Sequence, residues 1–184
     1  MELRRFVGLV DLGILTVVLA AVVMPPREMY ASAAMKGTDN ERLVVALAEA
    51  RTIAQPKDAG LVDEFAHQLG EAGFKDWAVE AGIDGSARTK DQPEHWRALL
   101  AASVAYIDRL EAKPALKFAL AAFDACKQAG DAACPTWERT RLEIYKEHLS
   151  AGVEAGIDPK RDPKKFREAG EGRIRTIRIG GPNP

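Results

Sequence analysis

The stretch from Asp91 to Ala129 constrains the fold of this chain more than any other. Asp91-Gln92-Pro93-Glu94 has the form of a capping box, in which Asp91 accepts orphan amide protons and Glu94 reaches back to the cap. Pro93 suits a first helical turn, where its missing N–H costs little. Trp96, Leu99, Leu100, Ser103, Val104, Ile107 and Leu110 then recur at helical spacing, as one apolar stripe with a single small polar step. Pro114 starts a second helix that carries Ala115, Ala119, Ala122, Phe123 and Cys126 on one side. Side chains this small let two backbones approach closely, so the pair predicts an antiparallel helical hairpin.

The rest of the composition agrees with helices. Hydrophobic residues make up 47% of the 184 but aromatics only 7%, so a core must come largely from Ala, Leu and Val. Ala is the strongest helix former and β-branched runs are scarce, which favours an all-α chain. The formal net charge is −1, and acids and bases are interleaved through the body. That distribution carries no electrostatic footprint for nucleic acid.

Phe6 to Met24 is an apolar run of nineteen residues with Asp11 as its one charge, closed by Pro25-Pro26-Arg27-Glu28. At ~1.5 Å per residue such a run can cross a ~30 Å hydrocarbon core, so a transmembrane helix is expected over residues 6–24. Asp11 lies early in that run and either leans toward the headgroups or pairs with another span. Ala31-Ser32-Ala33 resembles a cleavage site but lies well past the run, behind two prolines, which favours an uncleaved signal anchor. Arg4 and Arg5 before the span mildly favour an amino terminus inside and a body outside, in a bacterial periplasm. The expected division is residues 1–26 as cytoplasmic stub and signal anchor, 27–152 as a helical domain, and 153–184 as a short helix with a basic extended tail.

Within the body, Arg27 to Gly37 reads as a short helix. Thr38-Asp39-Asn40-Glu41 is a second capping box, opening a helix whose stripe is Leu43, Val44, Leu47, Ala50 and Ile53. Asp58 caps a helix through Leu61, Val62, Phe65 and Leu69 that Gly73 stops, and Phe74 to Ala87 returns, weakened by Gly82 and Gly85. Pro135 starts a helix with Trp137, Leu142, Tyr145 and Leu149 facing inward. Asp162-Pro163 caps a last short helix to Ala169, and Arg173 to Ile179, rich in Ile, reads as extended.

Small residues repeat along these helices. Ala34 precedes Ala46 by twelve and Ala66 precedes Ala78 by twelve, while Ala101 precedes Ala115 by fourteen with Pro114 in the gap. Four residues after each second member come Ala50, Gly82 and Ala119, and three further come Ile53, Gly85 and Ala122. Phe65-Ala66, Ala78 and Gly85 in one unit, and Trp96, Leu100-Ala101, Ala115, Ala119 and Ala122 in the next, resemble the tetratricopeptide repeat family over roughly Arg27 to Gly152. Gly82 and Ala119 stand where that family carries a large aromatic, and the Trp96 spacing is one residue long. The resemblance implies stacked antiparallel hairpins, a TPR-like α-solenoid, with a concave face that binds peptides or other proteins. His67, Gln68, Glu71, Arg97 and Asp108 are candidates for its polar lining.

Cys126 and Cys134 flank a turn and either form a disulfide, if the body lies in an oxidising compartment, or stay as two unpaired thiols with Cys126 packed as a small apolar residue. His67, His95 and His148 fall on different helices with no paired-ligand spacing, so no metal site is expected. No nucleophile carries a local catalytic motif. The expectation is therefore a non-enzymatic, single-pass scaffold of the bacterial inner membrane. It would bind other proteins or peptides through its repeat surface and the membrane through residues 6–24, with no cofactor, no nucleic acid and no small-molecule substrate. The competing expectation is a structural subunit of a membrane complex in which the span and Asp11 are the main contact.

Overall fold

The computed structural model describes residues 38–179, together with 13, 14 and 16–18 near the amino terminus. Every regular element in the range 38–179 is a helix: α1 (Asp39–Ala54), α2 (Ala59–Glu71), α3 (Lys75–Arg88), α4 (His95–Asp108), α5 (Ala112–Ala133), α6 (Thr136–Glu154) and α7 (Pro163–Ile179). Each helix packs on the next in chain order, and α2 also lies against α4. Short connections force consecutive helices to double back, as helical hairpins do.

Two parts of the expected architecture are corrected. Among the described residues no helix is long and apolar enough to cross a membrane, which overturns the fold class of a spanning helix followed by a repeat solenoid. The expected span over 6–24 lies outside the described residues apart from 13, 14 and 16–18; Asp11 and the helix expected over Arg27–Gly37 lie outside them too. The tail is the second correction. Arg173 to Ile179 continues α7 as a helix instead of running extended. Local β-branched preference loses to tertiary contact there. Gly170 lets α7 press onto His148 of α6, where a Cβ would collide with the imidazole, and Arg173 pairs with Glu154 and, at 3.5 Å, with Glu147.

The helix ends follow from side-chain chemistry. Thr38 N donates to Glu41 Oε2 at 2.8 Å and Glu41 N donates to Thr38 Oγ1 at 3.4 Å, a complete capping box. Asp58 Oδ1 accepts from Gly60 N at 2.9 Å and Leu61 N at 3.1 Å. Gly73, at φ 87°, ends α2 in the left-handed conformation, and Phe74 N donates to Leu69 O at 2.9 Å. The box expected at Asp91 does not form, because Glu94 is the cap of α4 and offers no side-chain hydrogen bond. Instead Thr89 Oγ1 donates to Gly85 O at 2.9 Å, and tight turns from Thr89 to His95 reverse the chain at once.

Phe65, Ala66, Leu69, Ala78, Val79 and Ala101 form one buried cluster; Trp96, Leu99, Leu100, Ala122, Cys126 and Leu142 form a second. Ala115 and Ala119 belong to a third, with Leu149 and Phe166. Close approach rests on residues without bulk: a Cβ on Gly82 would stand 2.6 Å from Ala102 Cα, and one on Gly85 would run into Val62. The two glycines read as weak points of α3 are thus where it meets α4 and α2. In α1 the expected stripe is turned outward: Val45 and Ala48 are buried, whereas Leu43, Val44, Leu47 and Ile53 are exposed. Trp137, expected inside, is 63% exposed.

Candidate functional site

Helices α2, α4 and α6 line a cleft of about 350 Å³. Ala66, Trp96, Leu100, Ala101, Val104 and Ala105 give it an apolar lining, and charged side chains stand among them. Asp63, Glu64 and His67 come from α2, Arg97 and Asp108 from α4, and Glu138 and Arg141 from α6. Leu100, Val104 and Arg141 also border a recess of about 320 Å³, completed by Leu142, Ile144, Tyr145, His148 and Ile174. The two cavities thus share lining residues from α4 and α6, and Ile174 of α7 lines the recess.

Packing holds these walls in place. Trp96 Nε1 donates to Ala133 O at 3.0 Å, which ties the cleft to the turn between α5 and α6. That turn is closed by a disulfide between Cys126 and Cys134, whose Cα atoms are 5.3 Å apart. Deeper in, Ser103 Oγ donates to Ala115 O at 2.7 Å and lies 3.2 Å from Tyr145 Oη, which can donate to it in turn. Burial pushes the Tyr145 phenol up to about 12, so it remains a neutral wall of the recess at any ordinary pH. Burial likewise lowers the His148 imidazole from its usual value.

Most charges of the cleft have partners. Arg97 stacks its guanidinium over Trp96 at 4.9 Å and its Nε lies 3.3 Å from Glu94, yet among the described residues that Nε is a buried donor with no hydrogen-bond acceptor. Glu64 pairs with Arg51 at 3.1 Å, His67 with Glu71 at 3.3 Å and Arg141 with Glu138 at 3.5 Å. The Glu138 side chain is only 5% exposed, and its place in the first turn of α6 lets the helix dipole favour its charge. Asp63 differs: among the described residues it makes no hydrogen bond and no ion pair. Burial raises its carboxyl above the usual aspartate value, against the pull of Arg97, His67 and Arg141, with nearby Glu138 adding to the rise.

The residues singled out from the sequence divide clearly. Phe65, Ala66, Ala78, Trp96, Leu100, Ala101, Ala115, Ala119 and Ala122 are all buried in the helix contacts. Trp96, Ala66, Leu100 and Ala101 are also cleft lining, as are His67, Arg97 and Asp108. Gln68 and Glu71 lie instead beside a shallower hollow against α1. His95 and His148 are not brought together with His67. Asp63, Glu64, Glu138 and Arg141 escaped the sequence reading. The available signal was Asp63 set between Val62 and Phe65, an acid inside an amphipathic stripe.

Among the described residues no group of three His, Cys, Asp or Glu side chains is placed to hold a metal ion. The arrangement offers shape, apolar contact and fixed charge, which are the means of recognition. No family model matches the chain, and neither a curated protein nor a solved structure matches it.

Proposed function

We propose that this chain is a binding module that holds a segment of another protein in the cleft across α2, α4 and α6. The observation that supports this reading best is that the cleft and an apolar recess share Leu100, Val104 and Arg141 in their linings. Three helices far apart in sequence contribute to one surface that carries both anchoring apolar groups and charge. A peptide segment is the ligand class suited to an elongated site of this kind, because its side chains can occupy neighbouring subsites. The disulfide at the end of the hairpin fits a protein that works in an oxidising compartment.

Selection of random peptides on the full chain tests the reading. Peptides enriched by the wild type should lose binding to Val104→Glu and to Arg141→Glu, which alter the shared border of the two cavities. Equal enrichment by the wild type and both variants would place binding elsewhere and refute the reading. A thermal melt of each variant separates lost binding from a lost fold, because Val104 lies in the helix packing and Arg141, although its side chain is 67% exposed, pairs with the buried Glu138.

A further inference from the structure

Helix α7 is held on α6 unevenly along its length. Its first half is anchored by bulk. Phe166 is buried against Gly152, where a Cβ would collide with the phenyl ring, and Gly170 lets the helix rest on the His148 imidazole. Beyond Gly170 the contacts thin out. Among the side chains at 171–175 only Arg173 and Ile174 are partly buried, while Glu171 and Arg175 are exposed and pair with each other at 3.8 Å. Arg173 reaches Glu154 and, at 3.5 Å, Glu147. Ile174 enters the lining of the apolar recess beside Leu100, Val104, Leu142, Ile144 and Tyr145.

The sequence makes that second half a poor helix by itself. Gly170 and Gly172 each give up helix stability relative to Ala, and four of the seven residues from Arg173 to Ile179 are β-branched. Gly170 has a packing reason, since a Cβ there would strike His148, whereas a Cβ at Gly172 would meet nothing within 4 Å. Gly172 thus softens the helix at the junction of the two halves. The pins are weak as well. The Arg173 side chain is 38% exposed and that of Glu154 56%, so water and salt screen their attraction. A segment with poor helix propensity, few apolar contacts and screened ion pairs opens locally at small cost, well before the chain as a whole unfolds.

We propose that the last turns of α7, from Gly172 onward, are a strap over the apolar recess that competes with the partner segment and lifts when an apolar side chain of that segment takes the place of Ile174. The inference rests on the peptide-binding reading above and adds the regulation of that site. Leu142, Ile144 and Tyr145 keep an apolar cover in both states, from Ile174 when the strap is closed and from the partner's side chain when it is open. A closed strap lowers the apparent affinity in proportion to the fraction of molecules that hold it closed. Loosening it therefore strengthens binding, and stiffening it weakens binding.

Two substitutions in the full chain pull in opposite directions. Arg173→Ala removes the pins, while Lys146 and Ser150 still partner Glu147 and Glu154. Gly172→Ala stiffens the helix without a clash. Hydrogen exchange should find the amides of residues 173–176 opening about tenfold more readily than those of 166–170. That opening should become about threefold easier in Arg173→Ala and about threefold harder in Gly172→Ala. Peptides recovered by the random selection, followed by fluorescence anisotropy, should bind about threefold more tightly to Arg173→Ala and about threefold more weakly to Gly172→Ala. A residue that only buttressed the site would weaken binding when lost, so tighter binding to Arg173→Ala is the signature of a strap. Equal exchange in the two halves of α7, or affinities that stay level, move together or move the opposite way in the two variants, overturns the inference. Peptides that need Val104 and Arg141 yet ignore both α7 variants would sink the strap and leave the binding reading standing; if no peptide needs Val104 and Arg141, both fail.

Discussion

Asp63 is an acid whose charge the fold disfavours. Its carboxyl sits above the ordinary value of 3.8, chiefly because burial penalises the charge, so the folded chain holds that proton more tightly than the unfolded chain does. Ionisation of Asp63 therefore costs stability. The cost is absent below the unfolded-state value, grows as pH rises through the folded-state value, and is constant above it. Asp63→Asn removes the charge at similar volume. Urea unfolding should show the variant more stable than the wild type at neutral pH, with the advantage vanishing at pH well below the usual aspartate range. A structural Asp63 would give the opposite sign at neutral pH.

At the scale of elements, glycines sort by what a methyl group would meet. Gly82 faces the backbone of Ala102, which cannot move without shifting α4, whereas a Cβ at Gly172 enters open space. Gly82→Ala should therefore cost about 1–3 kcal/mol despite the helix propensity it gains. Gly172→Ala on α7 should add about 0.5–1 kcal/mol, both read from denaturant melts. The α5–α6 turn makes a separate prediction. Replacing Cys126 and Cys134 together by Ser should lower unfolding free energy by about 2–3 kcal/mol, as expected for a short closed loop. Because Trp96 donates to Ala133 inside that turn, its fluorescence should respond as well. These elements also show what could be read beforehand. Ala115, Ala119 and Ala122 on one face announced a close helix contact, and the caps at Thr38 and Asp58 followed from local side-chain chemistry. Arg173 to Ile179 did not follow, since its helix depends on Gly170 meeting His148 and on Arg173 reaching Glu147 and Glu154, contacts that local sequence does not encode. The outward face of α1 and the exposed Trp137 misled for the same reason: a stripe tells which residues share a face, and tertiary packing decides whether that face is covered.

Across the whole molecule, the helices form a chain-ordered row in which the first helices of successive hairpins meet at one cleft. Of the exposed helix positions singled out from the sequence, His67, Arg97 and Asp108 line the cleft and Gln68 and Glu71 do not, so the sequence did not pick out the cleft side. Asp63, Glu138 and Arg141 could not be placed there either, because the charge balance of a cleft depends on which pairs form across helices. The central claim is that this cleft is where another protein binds. In-cell photo-crosslinking tests it most directly, with a photoreactive residue at His67 in the cleft and, separately, at exposed Lys117 on α5. The account predicts a discrete protein adduct from position 67 and none from position 117; the same adducts from both positions, or none from position 67, would contradict it.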